Sequence, residues 1–373
     1  MIYLDNAATS FPKPYGMAEY MAELTATRSG SFGRGGYQSA IKNAEDILEV
    51  RLILSELFDS GSPEQIIFTK NATEALNTAI YGILSRSSSV IVSPVEHNSV
   101  MRPLNMLGCN IITLPLKSDG SADITALAKY PSPSLVILNH ASNVSGIIND
   151  VDFAAEYCKK HSIPLLIDAS QSAGHIPVKA SWGAMIACAG HKGLLGPQGT
   201  GVLYIPENYT LRPLMAGGTG NRSELLLQPE DLPDRFESGT LNTPAILALG
   251  FSCNYIKKRG MQNIHTYEMR LTEYIINELM NISGVHVLFP ENKNRTPCIS
   301  FYCDHTDVVE MGDILDRDFA VAVRCGLHCA PAAHRACGTL STGTVRVSPG
   351  AFSKFSHAEH FIYAVNKIMK RSL

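Results

Sequence analysis

The sequence has 373 residues, of which 45% are hydrophobic and 17% are charged, and these values are typical of a globular protein with an ordinary core. The formal net charge of −3 comes without an acidic or basic block, which argues against binding to nucleic acid or an anionic membrane. The first residues lack the pattern of a signal peptide and no apolar stretch could span a bilayer, so we expect a soluble, cytoplasmic protein. The nine cysteines are an odd number spread over the chain, which predicts reduced thiols.

Short apolar runs alternate with helical patterns in the first two thirds of the chain. The predicted strands cover residues 65–69, 90–93, 111–114, 135–139, 165–168, 185–189 and 201–205. Helices are predicted to begin near Asn71 and after His97. The alternation predicts an α/β fold with a mostly parallel seven-stranded sheet that has helices on both faces. In such sheets, ligands bind at the carboxyl ends of the strands.

The pattern changes after residue 240. A long helical stretch over residues 244–281 is interrupted near Gly260. Strands at 285–288, 299–302 and 320–323 and helices near 307–318 and 357–370 follow, which predicts a smaller α+β domain. We expect a large domain over residues 16–245 and a C-terminal domain over 246–373, with residues 1–15 packing alongside. Gly217-Gly218-Thr219-Gly220 predicts a flexible loop.

Two polar clusters follow strands of the predicted sheet. Asn71-Ala72-Thr73-Glu74 opens a helix, where backbone N–H groups and a Thr hydroxyl suit a phosphate, although Asn and Thr are also common structural helix caps. Asp168 ends the strand at 165–168, where its carboxylate can pair with a protonated ring nitrogen or can cap the next helix. Gln171 can donate a hydrogen bond nearby.

Two further clusters occupy equivalent positions. Lys192 follows the strand at 185–189 and precedes a glycine-rich run, and a desolvated lysine is a good Schiff-base nucleophile. The glycines of that run are expected to let the backbone approach a bulky ligand closely. His97 can stack on an aromatic ring, although a single core histidine is more often just hydrogen-bonded. The shared position of all four clusters after successive strands predicts one site.

The order of these motifs resembles the class V aminotransferase family of fold-type I pyridoxal-phosphate (PLP) enzymes, and within it the cysteine desulfurases. The motifs are Asp5-Asn6-Ala7-Ala8-Thr9, Asn71-Ala72-Thr73-Glu74, Glu96-His97, Asn143, Asp168-Ala169-Ser170-Gln171 and Gly190-His191-Lys192. The resemblance covers nearly the whole chain. It implies that the protein binds PLP and forms a homodimer.

The resemblance also implies a role for each matching residue. Lys192 would carry the cofactor as a Schiff base, with His97 stacked on the ring and Asp168 paired with the ring nitrogen. The remaining contacts would be Asn143 and Gln171 to the ring hydroxyl, Ala72, Thr73 and His191 to the phosphate, and Thr240 to the phosphate in the neighbouring subunit. Ala189 departs from the Ser that many relatives have, which would weaken cofactor binding by about 1 kcal/mol.

The segment Arg324-Cys325-Gly326-Leu327-His328-Cys329 carries the candidate thiol. A cysteine beside Arg324 and His328 would have a stabilised thiolate. A metal site using this segment, His334 and Cys337 is the alternative, but we predict none because the spacing lacks a paired zinc element. We predict that Cys325 is a packing residue.

The same segment resembles the corresponding loop of SUF-type cysteine desulfurases, with Leu327 in place of their usual His. By this resemblance Cys329 would form a persulfide, and Arg346 would clamp the substrate carboxylate with Arg324 as a second contact and Asn143 alongside. Lys192 would move the α-proton, with His97 as a proton carrier. L-cysteine would become L-alanine, and the sulfur would pass to a small acceptor protein, as in iron–sulfur cluster assembly.

Other reactions of the same family remain open at this stage. They are selenocysteine lyase, cysteine-sulfinate lyase, aminotransferase and epimerase activity. A protein that binds PLP or delivers sulfur without catalysis is a further alternative.

Overall fold

The computed structural model describes residues 1–30, 35–130 and 132–372. The elements of the first part are β1 Ile2–Tyr3, α1 Met17–Thr27, α2 Gln38–Leu57, β2 Ile66–Thr69, α3 Ala72–Ile83, β3 Ser89–Val92, α4 Asn98–Leu107, β4 Asn110–Thr113, β5 Leu135–Asn139, α5 Val151–Lys160, β6 Leu165–Asp168, β7 Met185–Ala189 and β8 Gly201–Tyr204. The second part contains α6 Thr243–Arg259, α7 Met261–Met280, β9 Val285–Val287, β10 Ile299–Cys303, α8 Val308–Phe319, β11 Val321–Ala322, β12 Arg324–Gly326, α9 Pro331–Ala336, β13 Thr344–Val347 and α10 Phe355–Ser372.

A seven-stranded sheet forms the centre of the large domain, in the order β2-β8-β7-β6-β5-β3-β4. Only β8 is antiparallel to its neighbours, so the predicted mostly parallel sheet is confirmed. Strand β5 shows why its apolar run forms a central strand. Val136 and Leu138 pack in the core on one face, while Leu135 and Ile137 pack in the core on the other. A strand that is buried on both faces reads as a continuous apolar run.

A separate antiparallel sheet with the order β12-β13-β10-β9 forms the smaller unit, as the predicted α+β domain requires. Helices α7, α8 and α10 contribute to its core together with Leu4, and β1 pairs with β11. The prediction of a single strand at 320–323 is wrong. The chain there forms the two-residue strand β11 and, after Val323, the strand β12 in a different sheet.

The predicted domain boundary after residue 245 falls inside α6. Ile246, Leu249 and Cys253 of this helix pack in the core of the large sheet. We therefore propose that the smaller domain starts after Arg259, where α6 ends.

A buried ion pair anchors the segment that precedes Thr240. Glu237 contacts Arg51 of α2 and accepts a hydrogen bond from the backbone N–H of Phe68, 2.7 Å away. Removing one member of a buried pair leaves the other charge uncompensated. Glu237→Ala is therefore expected to lower the free energy of unfolding by about 3–5 kcal/mol. Urea unfolding at one protein concentration tests this, with exposed Glu207→Ala as the control. Equal stability of both variants would contradict it.

Candidate cofactor site

A cavity of about 190 Å³ lies where β5, β6 and β7 end. Its lining residues are Asn71, Ala72, Thr73, Leu76, His97, Ser99, Asn139, Ala141, Asn143, Asp168, Ser170, Gln171, Ala189, His191 and Lys192. The structure therefore brings together every residue that the sequence assigned to the cofactor except Thr240. The convergence follows from topology, because the parallel strands place their carboxyl ends at one edge of the sheet.

The start of α3 forms one end of the cavity. Asn71 caps this helix by accepting a hydrogen bond from the backbone N–H of Glu74 at 2.9 Å. The first N–H groups of a helix have no partner within the helix, and their dipoles favour an anion. The hydroxyl of Thr73 lies 2.7 Å from that of Ser99, which lies 2.9 Å from Nδ1 of His97. This end of the cavity suits a phosphate.

Asp168 and Lys192 lie in the same cavity, and their charges interact. One carboxylate oxygen of Asp168 accepts a hydrogen bond from the backbone N–H of Ser170 at 2.9 Å, which fixes the side chain at the end of β6. Burial lowers the pKa of Lys192 to about 8, and Arg346 and Arg324 add to this effect, while Asp168 opposes it. An amine with such a pKa is partly neutral near pH 7, and only the neutral form is nucleophilic.

Several buried polar atoms in the cavity wall test whether PLP fits. Oδ1 of Asn143, Oγ of Ser170 and Nδ1 of His191 are buried and have no hydrogen-bond partner in the described part of the protein. Buried polar atoms are normally paired, so three unpaired atoms around one cavity indicate a polar ligand. Burial lowers the pKa of His191 and that of His97 to about 4, so both rings are neutral. The residues present fit the cofactor.

Gly190 and Gly193 flank Lys192 at positions where a side chain would collide with the protein. A Cβ on Gly190 would lie 2.2 Å from the hydroxyl oxygen of Thr200, and one on Gly193 would lie 2.4 Å from the carbonyl oxygen of Ala173. These glycines therefore let the lysine turn pack against the protein itself. The expected approach of the glycine-rich run after Lys192 to a bulky ligand stays a prediction.

Ala189 lines the cavity where many relatives have a serine hydroxyl. Ala189→Ser is expected to tighten PLP binding by about fivefold, because one added neutral hydrogen bond contributes about 1 kcal/mol. Titration of the apoprotein with PLP measures the dissociation constant. Cys188→Ser, which faces the buried core, serves as the control. Weaker or unchanged binding by Ala189→Ser would contradict this prediction. Unchanged binding would indicate that the unpaired hydroxyl of Ser170 already supplies the hydrogen bond.

Arg324 and Arg346 lie directly opposite each other on the neighbouring strands β12 and β13. Like charges at opposite positions destabilise a sheet. Such a pair of arginines is typical of a site that binds an anion. Arg346 is 1% exposed, donates to the carbonyl oxygen of Asn143 at 3.0 Å and forms a 2.7 Å ion pair with Asp5. Its Nε has no partner in the described residues. Sequence analysis assigned Asp5 no role, because its distance in the chain hides this contact.

The loop that carries Cys329 is attached to the wall of the cavity. The backbone N–H of Asn98 donates to the carbonyl oxygen of Cys329 at 2.8 Å, and the amide of Asn143 donates to the carbonyl oxygen of His328 at 2.7 Å. His328 and Cys329 both have left-handed φ values, 49° and 58°. Arg324 lies 3.2 Å from the exposed Cys329 sulfur. Strained residues of this kind cluster at functional sites.

His328 does not assist the thiol as the sequence predicted. Its ring is buried, and Nε2 lies 2.9 Å from the hydroxyl of Thr344. Burial and the nearby Arg346 lower the pKa of His328 to about 2, so it is neutral. Cys325 is half-buried with its sulfur against Gly312, and burial raises its pKa to about 11. This environment supports the packing role predicted for Cys325.

Thr240 lies outside the cavity, exposed at the surface beside α1 and α2. Its predicted contact with a neighbouring subunit remains a prediction. Within residues 1–30, 35–130 and 132–372, no group of three or more His, Cys, Asp or Glu side chains is arranged to hold a metal ion. No helix in the same ranges is both long and apolar enough to cross a membrane.

Sequence analysis also gave no role to Glu96, which is completely buried beneath the cavity. One carboxyl oxygen accepts hydrogen bonds from the Ser93 hydroxyl at 2.6 Å and from the backbone N–H of Asn139 at 2.7 Å. Burial raises the pKa of Glu96 to about 8, so the neutral acid prevails at pH 7. Glu96 therefore ties the end of β5 to the segment that leads into His97.

The whole chain resembles known proteins in sequence. Residues 2–361 match the family described as Aminotransferase class-V. A probable cysteine desulfurase from Methanothermobacter thermautotrophicus is 32% identical over 93% of this chain and 89% of its own length. A cysteine desulfurase from Yersinia pestis is 30% identical, covering 88% of this chain and 84% of its own length.

Solved structures give the same result for the fold. The apo structure of a cysteine desulfurase from Thermococcus onnurineus matches with a TM-score of 0.92 and 30% identity, over 99% of this chain and 95% of that one. A cysteine desulfurase from Escherichia coli matches with a TM-score of 0.88 over 100% of this chain and 95% of that one. At 22% identity, this second likeness supports the fold alone.

Proposed function

Because this chain belongs to the class V aminotransferase family, whose members depend on PLP, we propose that it is a cysteine desulfurase that converts L-cysteine to L-alanine and keeps the sulfur on Cys329. One observation carries the proposal. An exposed thiol beside an arginine sits on a strained loop, and two hydrogen bonds attach that loop to the cavity. An aminotransferase or epimerase has no use for this thiol.

The bound cofactor supplies an electron sink for the substrate carbanion. Lys192 would hold the cofactor, and its amine would move the α-proton of the substrate. Its lowered pKa suits both tasks, because proton transfer is most efficient when the pKa lies near the working pH. Asp168 would pair with the ring nitrogen and favour its protonated form, and the neutral imidazole of His97 would pack against the ring.

The arginine pair binds the substrate carboxylate. A guanidinium fork suits a carboxylate because it offers parallel N–H donors. Arg346 has its Nε available, and Asn143 lies beside it. Arg324 adds a second positive charge from the opposite strand. The same arginine also lies beside the Cys329 sulfur, so it brings the substrate and the thiol together.

The sulfur step balances without a further reagent. The Cys329 thiolate attacks the sulfur of the bound cysteine, an S–S bond forms and the Cβ–S bond breaks. The electron pair of the broken bond stays with Cβ, which takes up the proton that the former substrate S–H releases, and the product leaves as alanine. The enzyme retains a persulfide on Cys329.

We also propose that the enzyme is a cytoplasmic homodimer that passes its sulfur to a small acceptor protein, for example in iron–sulfur cluster assembly. Helix α2 exposes an apolar stripe made of Ile41, Leu48 and Leu52. Thr240 lies beside the same helix, so a second copy that covers the stripe would bring its own Thr240 close to this surface. By the family resemblance, Thr240 of that second copy would contact the cofactor phosphate.

Mass spectrometry of the PLP-loaded protein tests the function. Incubation with L-cysteine should add about 32 Da, one sulfur atom, to the peptide that contains Cys329, as expected when a cysteine becomes a persulfide. Alanine should appear in equal amount before any reductant is added. Pyruvate, D-cysteine or a transaminated cofactor in place of alanine would indicate a different family reaction. Cysteine sulfinate and selenocysteine as alternative substrates define the preference.

A further inference from the structure

Residues 5–13, here called the N-terminal strap, cross the cavity region and contact three elements of the site. Asp5 pairs with Arg346 of β13. The carbonyl oxygen of Ala7 accepts a hydrogen bond from Gln171 at 2.9 Å. The backbone N–H of Ser10 donates to the carbonyl oxygen of His191 at 2.9 Å. The strap therefore links the substrate arginine, the end of β6 and the lysine turn.

Several donors of the strap contact the carbonyl oxygen of His191. Besides the Ser10 N–H, it lies 3.1 Å from the Ser10 hydroxyl, 3.2 Å from the Thr9 hydroxyl and 3.2 Å from Nζ of Lys13. A carbonyl oxygen has two lone pairs, so four donors are more than it can bind ideally. The peptide bond that carries this oxygen leads directly into Lys192.

The lysine turn depends on the strap for this contact. Its internal hydrogen bonds join the N–H of Leu195 to the carbonyl oxygen of Lys192, and the N–H of Gly196 to that of Gly190. The donors recorded for the carbonyl oxygen of His191 all come from the strap. The turn thus closes on itself except at the residue before Lys192, where the strap holds it from outside.

Lysine is an unusual residue at the partly buried position 13. It is partly buried, and its ammonium donates to the Ser10 hydroxyl at 2.8 Å and to His191. In the described ranges no carboxylate lies within ion-pair distance of Lys13, and burial lowers its pKa to about 8. A partly desolvated ammonium without a counter-charge is costly, and an apolar chain of similar length would avoid that cost. The charge-assisted contact with the carbonyl oxygen offsets it.

We propose that the strap positions Lys192 toward the cofactor and that Lys13 is the positioning residue through which it acts. The proposal rests on the proposed role of Lys192. Lys13 does not line the cavity, so it touches neither cofactor nor substrate. It fixes the carbonyl group before Lys192 and thereby the direction in which the Lys192 side chain leaves the turn.

Lys13→Met tests this, because methionine fills similar space without a donor. We expect kcat to fall about tenfold, as for loss of one charged hydrogen bond, with the KM for cysteine changed less than about twofold. In the PLP-loaded protein without substrate, the pH at which the visible absorption of the cofactor changes should shift by at least about half a unit. Lys13→Arg, which keeps the charge and the donors, should restore most of both properties.

Two further variants complete the design. Lys160→Met, at an exposed position on α5, should leave kcat and the absorption titration unchanged. Ser10→Ala removes one donor to His191 and one acceptor of Lys13, so it should shift the titration in the same direction by a smaller amount. If Lys13→Met fails to fold, Ser10→Ala alone tests the positioning role.

A titration and a kcat like those of the unmodified protein in Lys13→Met, or in Ser10→Ala if only that variant folds, would overturn the positioning role and leave the strap as passive packing. Failure of the proposed function would give a different experimental result. In that case the unmodified protein makes no alanine from cysteine, while the absorption titration still compares the variants in the absence of substrate.

Discussion

Lys192→Ala is expected to abolish the covalent attachment of the cofactor and to lower turnover by about 10²–10⁴-fold or more, the usual contribution of one acid–base group. The side chain is buried in the cavity with Asp168, and its lowered pKa makes its amine nucleophilic near neutral pH. Borohydride treatment followed by mass spectrometry measures the attachment. The unmodified protein should carry a pyridoxyl group at position 192, and the variant should carry none.

The control for this experiment is an exposed lysine outside the cavity. Lys160→Ala, on α5, should still be labelled at position 192. Noncovalent PLP should remain detectable in Lys192→Ala, because the start of α3 and Asp168 are unchanged. If borohydride fixed the cofactor elsewhere, or if the variant kept its turnover, the assignment of Lys192 would be wrong.

The sequence predicted the large sheet and its edge of polar residues well, because both follow from local patterns. A run such as 135–139 is apolar at positions that face both sides of the sheet, so it predicts a buried parallel strand to the residue. Parallel strands then place Asp168 and Lys192 at one edge of the sheet, independently of the conformation of the loops. Motif order added the remaining cavity residues by resemblance.

The contacts that the sequence could not predict join distant segments. Asp5 and Arg346 are 341 residues apart, and no periodicity relates them. The strand β13 that carries Arg346 was not predicted, since its polar–apolar alternation extends over only four residues. His328 looked like a neighbour of the thiol because it precedes Cys329. Its left-handed backbone turns the ring toward Thr344 in the interior instead.

Cys329→Ala is expected to retain the bound cofactor and its visible absorption but to lose persulfide formation completely. The sulfur of Cys329 does not line the cofactor cavity, so its removal leaves the residues that hold PLP unchanged. No other thiol is equivalent within the described ranges, because Cys329 alone is exposed and lies beside an arginine. Alanine formation from cysteine and the labelling of the protein by sulfur measure the loss.

Cys325→Ala is the matched control, four residues away on β12. Its thiol packs against Gly312, and its raised pKa leaves it protonated at pH 7, so it is a poor nucleophile. The variant should keep most of its activity and lose about 1–2 kcal/mol of stability from the small cavity it creates. If Cys325→Ala abolished sulfur transfer while Cys329→Ala retained it, the two thiols would have exchanged roles. In Arg324→Gln, persulfide formation should be slower, because the substitution removes the positive charge that lies 3.2 Å from the Cys329 sulfur.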